Sequence, residues 1–150
     1  MNSQPFRVVF VEDNDSDVNL TIDVLKATQS FEAVLVRHYR SLNEETVRRA
    51  DLVVLDRSVD DNTQQYAEKI RELRSGNVPF LVFSVTPPSE KVSDKPWSVR
   101  QQALMNGAME YIWKRAETAR DYVDPDESQL DLAESVLRYY WSVRGNVKQK

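Results

Sequence analysis

Three short apolar segments stand out along the chain, and none of them alternates with polar residues. They are RVVFV at 7–11, DLVVLD at 51–56 and FLVFSV at 80–85. Continuous apolarity of this kind is typical of strands that are covered on both faces, as in a parallel sheet between two layers of helices. Two weaker segments, AVLVRH at 33–38 and EYIW at 110–113, follow stretches with helical character. The pattern therefore predicts five strands.

Apolar residues between the predicted strands recur at helical spacing. Their positions are Val18, Ile22 and Leu25; Tyr66, Ile70 and Leu73; Val99, Ala103 and Leu104; and Leu130, Ala133, Val136, Leu137 and Tyr140. The first set predicts a helix near 16–28 with Asp15 or Ser16 as its N-cap, and residues 42–50 fit a short second helix. Because strand and helix alternate throughout, we predict an α/β fold with a doubly wound, five-stranded parallel sheet and helices on both faces.

Length and composition restrict the range of functions. A chain of 150 residues fits one domain, with a core over about 6–142 and a flexible tail over 143–150. The absence of cysteine excludes disulfides and thiolate catalysis. No apolar run is long enough to span a bilayer and the start lacks a secretory signal, so we expect a cytoplasmic protein without membrane contact. The net charge of −4 argues against direct binding to nucleic acid.

One connection does not fit the strand and helix pattern. Residues 86–97, TPPSEKVSDKPW, contain three prolines and show no apolar period. We predict a loop there, and its unusual length favours either a functional surface or disorder.

Charged and hydroxyl residues follow the predicted strands at their carboxyl ends. Glu12 and Asp13 end the first strand, Asp56 ends the third, Ser84 lies late in the fourth, and Lys114 ends the fifth. In a doubly wound sheet these ends meet at one edge, which is where ligands bind. The sequence therefore predicts one site formed by residues from four strands.

The predicted site has an excess of negative charge. Three carboxylates and one ammonium leave a formal charge of −2, which a divalent cation would cancel. Oxygen ligands at a partly hydrated site suit Mg²⁺. An aspartate beside Mg²⁺ can attack a phosphoryl group while an ammonium and a hydroxyl stabilise its oxygens, and Asp56, Lys114 and Ser84 supply these groups.

The ordered set VVFVEDN, LVVLD, FLVFSVT and GAMEYIWK resembles the receiver (CheY-like) domains of two-component response regulators, over nearly the whole chain. The resemblance implies a flavodoxin-like fold and a phosphoryl group accepted by Asp56. It also implies that Asp13 and Asp56 bind Mg²⁺ directly, that Glu12 acts through metal-bound water, and that the main-chain carbonyl of Ser58 completes the protein ligands. Ser84 would close on the acyl phosphate, Lys114 would pair with it, and Tyr111 would be the aromatic switch that swings inward.

The resemblance also implies partners. The phosphoryl group would come from a histidine kinase or a histidine phosphotransfer protein, and the signal would pass to a downstream protein that the sequence does not identify. A phosphorylation-dependent homodimer is also compatible with it. Such a domain is not an enzyme beyond its own phosphorylation and dephosphorylation.

Three features depart from the family pattern. Val85 stands after Ser84 where alanine or glycine is usual, and it should narrow access to the phosphoryl group. Arg115 stands after Lys114 where the family has a proline, usually with a cis peptide bond, so the next loop should differ. The long 86–97 loop precedes the helix whose surface often carries the family's signal, which puts a standard output interface in doubt.

Two other functions stay open at this point. A pseudo-receiver would keep the fold and bind a partner constitutively without phosphorylation. A haloacid-dehalogenase-like phosphatase would use the Asp13-x-Asp15 pattern, but that interpretation leaves Asp56 unexplained. Asp15 and Asp17, taken singly, fit helix caps or solvated charges, and His38, the only histidine, fits the surface.

Overall fold

Strands and helices alternate through residues 4–28, 30–59, 62–114 and 125–148, which are the residues that this computed structural model describes. The strands are β1 (Phe6–Val11), β2 (Phe31–Val36), β3 (Leu52–Leu55), β4 (Phe80–Ser84) and β5 (Tyr111–Trp113). The helices are α1 (Asn19–Lys26), α2 (Glu44–Arg49), α3 (Thr63–Ser75), α4 (Val99–Met105) and α5 (Pro125–Lys148). Single 3-10 turns at Asp15–Asp17 and Tyr39–Ser41 follow β1 and β2.

The strands form one parallel sheet in the order β2-β1-β3-β4-β5. Val9 of β1 pairs with Val34 of β2 on one side and with Val53 of β3 on the other. The chain runs from β1 to β2 on one side and then returns to β3 on the other side of β1. The loops after β1 and β3 therefore diverge at the carboxyl ends of these two strands. The predicted doubly wound, five-stranded fold is confirmed.

Successive strand residues face opposite layers of helices, which explains why the strands show no polar alternation. Val9 and Val11 of β1 belong to a buried cluster with residues of α3 and α4. Val8 and Phe10 belong to a second cluster, which includes Leu25 of α1 and residues of α5. Each strand thus contributes to two cores, and both faces of the sheet are buried.

The observed helix boundaries differ at two places from those predicted from the apolar periodicity. The residues predicted to begin the first helix form the 3-10 turn Asp15–Asp17, which Asn14 caps, and α1 itself begins after Val18, which makes no side-chain cap. At the other end of the chain, α5 begins at Pro125 and continues to Lys148, so it reaches into the segment expected to be a tail. Across the described residues, no helix has both the length and the apolarity that crossing a membrane requires.

The 86–97 segment is a loop, as predicted, with its own internal contacts. An isolated antiparallel bridge joins Lys91 to Ser98, and the Val92 N–H donates to the Trp97 carbonyl at 3.0 Å. Val92 packs against the core cluster beneath α4, while the Lys95 ammonium lies 5.5 Å from the centre of the Trp97 ring. The loop is therefore attached to the core immediately after the site edge of β4.

Candidate acidic site at the carboxyl edge of the sheet

Main-chain hydrogen bonds hold the strand ends together where the predicted site residues begin. The Glu12 N–H donates to the Val36 carbonyl at 2.9 Å, and the Asp56 N–H donates to the Val11 carbonyl at 3.1 Å. The Lys114 N–H donates to the Ser84 carbonyl at 2.7 Å. Glu12, Asp56, Ser84 and Lys114 are all buried. The sheet thus brings together the residues that the sequence placed at four strand ends.

The Lys114 ammonium lies at the centre of the carboxylates. Its Nζ is 3.0 Å from Asp56 Oδ2 and 3.1 Å from Asp17 Oδ2, and it also contacts Glu12 Oε2. Burial alone would lower the pKa of Lys114, but the carboxylates of Asp56 and Glu12 raise that pKa above its ordinary value. Lys114 is therefore a permanent cation of the site.

Glu12 is held in an environment that favours its neutral form. Burial, with a smaller contribution from the Asp56 charge, raises the pKa of Glu12 to about 8, although the Lys114 ammonium opposes the shift. The Asn14 N–H donates to Glu12 Oε1 at 3.1 Å. A proton on Glu12 thus removes part of the negative charge of the site at neutral pH.

The Asp56 carboxylate has a fixed partner for each of its oxygens. Oδ2 faces Lys114, and Oδ1 accepts the Ser58 N–H at 3.2 Å. The Tyr39 hydroxyl supports the main chain of the same turn, because it donates to the Asp56 carbonyl at 2.5 Å. The carboxylate is therefore oriented by Lys114, which follows β5, and by its own turn, whose main chain Tyr39 contacts from the segment after β2.

Three carboxylates form a donor set that could hold a metal ion. Glu12, Asp13 and Asp56 each offer one oxygen, and these oxygens lie within 4.8 Å of one another. Glu12 and Asp56 are buried whereas Asp13 is exposed, so the set is open to water on one side. Hard oxygen donors with room for water are the ligands that suit Mg²⁺. The carbonyl of Ser58 stays a predicted further ligand.

Ser84 and Tyr111 meet at the first residue of the 86–97 loop. The Ser84 hydroxyl accepts the Thr86 N–H at 3.2 Å, and the Tyr111 hydroxyl donates to the Thr86 carbonyl at 2.6 Å. Tyr111 is buried, and burial raises its pKa, so its phenol keeps its proton. The ring expected to swing inward already lies inside the protein, and its switch role stays a prediction.

Asp17 departs from the expectation of a helix cap or a solvated charge, because its carboxylate reaches Lys114. No sequence signal identified it, since the contact joins the 3-10 turn after β1 to the end of β5. Asp15 fits its expectation better: it pairs with the exposed Arg37 at 2.6 Å. His38 is exposed, as expected.

Of the three departures from the family pattern, Val85 and the 86–97 loop lie within the described residues. The Val85 side chain is 48% exposed, and its carbonyl accepts the Trp113 indole N–H at 3.0 Å. An obstructing role for Val85 stays a prediction. Arg115 and the peptide bond before it lie outside the described residues.

The sequence matches no protein-family model, and no curated protein matches it. Solved structures do match. The receiver domain of the TMAO respiratory system response regulator TorR superimposes with a TM-score of 0.65 at 18% identity, covering 92% of this chain and 98% of that one. The chemotaxis response regulator CheY4 of Vibrio cholerae gives a TM-score of 0.61 at 19% identity, covering 89% of this chain and 99% of that one. A response regulator from Thermotoga maritima gives a TM-score of 0.61 at 16% identity, covering 88% and 97%. The chain therefore has the fold of the response regulator receiver domains.

Proposed function

We propose that this protein is a signalling switch in which Asp56 accepts a phosphoryl group from a histidine kinase or a histidine phosphotransfer protein. The observation that carries the proposal is the buried Asp56 carboxylate, which lies 3.0 Å from the Lys114 ammonium and next to the acids Glu12 and Asp13. The receiver fold of the neighbouring structures supports a place in two-component signalling.

The reaction is a displacement at phosphorus. A carboxylate oxygen of Asp56 forms a bond to phosphorus as the bond from phosphorus to the imidazole nitrogen of the donor histidine breaks. That nitrogen keeps the electron pair and takes up a proton. The Lys114 ammonium would offset negative charge on the phosphoryl oxygens, and the hydroxyl of Ser84, which is buried at the adjoining strand end, would donate to one of them.

Glu12, Asp13 and Asp56 would hold Mg²⁺, together with the main-chain carbonyl of Ser58. A bound Mg²⁺ would neutralise the approaching phosphoryl oxygens as a Lewis acid. The side chains themselves have separate tasks. Asp56 is the nucleophile, exposed Asp13 gives the set its open side, and Glu12 would lose its proton when the cation binds beside it.

Incubation with a small-molecule phosphodonor and Mg²⁺, followed by intact mass measurement, tests the proposal. We expect one added phosphoryl group, its loss in Asp56→Asn, and a strong decrease in Asp13→Asn. Asp23→Asn is the matched control, because Asp23 is an exposed acid of α1 that does not belong to the set of Glu12, Asp13 and Asp56. It should be labelled as the wild type is.

Undiminished labelling of Asp56→Asn would refute Asp56 as the acceptor. A wild-type protein that bound no Mg²⁺ and gained no phosphoryl group would instead be a binding module with a receiver fold. Turnover of a phosphomonoester that depends on Asp13 and not on Asp56 would identify a phosphatase.

A further inference from the structure

Tyr39 places a polar atom against the phosphoacceptor turn from a segment that is distant in sequence. It begins the 3-10 turn Tyr39–Ser41 after β2, and only 1% of it is exposed. Its ring packs in the core cluster that also contains Leu55, which precedes the Asp56 turn, and Val59, the last residue of that turn. The ring therefore anchors Tyr39 to the sheet, and its hydroxyl lies beside the main chain of that turn.

The Tyr39 hydroxyl makes two hydrogen bonds of opposite sense. It donates to the Asp56 carbonyl at 2.5 Å and accepts the Val59 N–H at 3.1 Å. A phenol can do both because it has one proton and two lone pairs. Burial raises the pKa of Tyr39, so the hydroxyl stays a donor at neutral pH. One oxygen thus ties together the first and last residues of the turn.

Arg57 and Ser58 lie between these two attachments, and the Ser58 N–H donates to Asp56 Oδ1 at 3.2 Å. The orientation of the Asp56 carboxylate therefore depends on the shape of the turn, and so does the direction of the Ser58 carbonyl. Without the Tyr39 hydroxyl, a buried carbonyl and a buried N–H would both need new partners. The turn would have to shift or admit water to supply them.

We propose that Tyr39 is a positioning residue, which fixes the turn 56–59 so that the Asp56 carboxylate and the Ser58 carbonyl are preorganised for Mg²⁺ and for phosphoryl transfer. The inference rests on the proposed function for its chemistry, but its structural content concerns the turn alone. Preorganisation matters here because small misplacements of reacting groups cost large factors in rate.

Tyr39→Phe tests the role, since it keeps the ring in the core and removes only the hydroxyl. We expect the dissociation constant for Mg²⁺ to rise about tenfold, and the rate of phosphorylation by a small-molecule donor to fall about tenfold. Amide exchange of Val59, measured by NMR without Mg²⁺, should accelerate because its N–H loses its acceptor.

Ile70→Val is the matched control. Ile70 lies in the same core cluster, on α3, and its shortening destabilises that cluster without removing a hydrogen bond to the turn. Its Mg²⁺ affinity, phosphorylation rate and Val59 exchange relative to global unfolding should equal those of the wild type. A loss of function that tracks stability alone would appear in both variants and would refute positioning by Tyr39.

The outcomes separate the two proposals. If Tyr39→Phe binds Mg²⁺ and accepts phosphate as the wild type does, the inference about Tyr39 is wrong and the proposed function stands. If the wild type binds Mg²⁺ but is never phosphorylated, the proposed function is wrong, and the two Mg²⁺ affinities still decide the role of Tyr39. If the wild type binds no Mg²⁺, both proposals are refuted.

Discussion

Lys114 is shared by more carboxylates than the strand ends alone provide. Asp17 joins Glu12 and Asp56 around its ammonium, and exposed Asp13 lies beside them. Four acids and one ammonium carry a formal charge of −3 when every acid is ionised. Buried ion pairs contribute little net stability, because desolvation opposes their attraction. Ionisation of these acids therefore lowers the unfolding free energy of the metal-free protein.

The raised pKa of Glu12 predicts how stability depends on pH. A carboxyl group whose pKa is near 4.5 in the unfolded chain and about 8 in the folded protein binds more protons when folded. Its contribution to the unfolding free energy is fully present below about 4.5 and is lost as pH rises through 8. The pKa of Lys114 is shifted upward, so its charge does not change in this window. We expect the melting temperature of metal-free protein to fall by several degrees between pH 5 and pH 8.5, measured calorimetrically.

Glu12→Gln isolates this contribution, because glutamine resembles the protonated acid and cannot ionise. The fall in melting temperature should be clearly smaller in this variant. Saturating Mg²⁺ should stabilise the wild type more at pH 8.5 than at pH 5, since the cation favours ionised Glu12. Identical pH profiles for the wild type and Glu12→Gln would contradict the assignment.

The sequence predicted Glu12, Asp56, Ser84 and Lys114 together because the ends of parallel strands necessarily meet at one edge. It did not predict the contact of Asp17 with Lys114 or of Tyr39 with the Asp56 turn. Both contacts depend on where a short 3-10 turn directs a side chain, and neither turn has a periodic pattern. Strand-end residues could therefore be assigned from the sequence, whereas contacts from the loops could not.

At the scale of elements, α5 supplies the cap that α1 lacks. Val18 offers no side-chain acceptor to the first turn of α1. Gln129 of α5 takes that role, because its Oε1 accepts the Leu20 N–H at 2.8 Å and the Thr21 N–H at 3.3 Å. Its Nε2 also donates to the Ser16 carbonyl at 3.0 Å, within the 3-10 turn that contains Asp17. Helix α5 thus holds the start of α1 and the acidic turn in one arrangement.

Gln129→Met should destabilise the fold, since it leaves the first N–H groups of α1 without acceptors in a buried place. We expect a loss of about 1–3 kcal/mol in the unfolding free energy, or a melting temperature lower by roughly 2–8 °C. Gln65→Met, on the exposed side of α3, is the matched control and should change stability little. Equal stability of the two variants would show that water replaces the Gln129 contacts.

This cap also explains why the first helix was predicted to begin too early. The prediction assumed that a local side chain, Asp15 or Ser16, would cap the helix. The acceptor instead comes from residue 129, more than a hundred positions away in the chain. The strands could be predicted without knowledge of distant contacts, because burial on both faces favours apolar residues along the whole length of a strand. Element types were therefore predictable where boundaries were not.

At the scale of the whole molecule, one chain of hydrogen bonds joins the acidic site to the 86–97 loop. Ser84, which is buried at the site, accepts the Thr86 N–H, and the Thr86 carbonyl accepts the Tyr111 hydroxyl. Arg57, next to Asp56, is 3.5 Å from the Thr86 hydroxyl. Thr86 therefore makes hydrogen bonds with Ser84, Tyr111 and Arg57. Beyond it, the Val99 N–H donates to the Glu90 carbonyl at 2.8 Å, which ties the loop to the start of α4.

A phosphoryl group on Asp56 should therefore change the loop and α4 together. New phosphoryl oxygens would draw the Ser84 hydroxyl toward Asp56, and the Thr86 main chain would move with it. We expect beryllium trifluoride with Mg²⁺, which mimics the phosphoryl group, to alter amide exchange over 85–113 and in α5. Ser84→Ala should lose most of this response while still binding the mimic. Ser75→Ala, at the exposed end of α3, should keep it. Unchanged exchange over 85–113 in the wild type, or an equal response in Ser84→Ala, would refute a signal that leaves the site through Ser84 and Thr86.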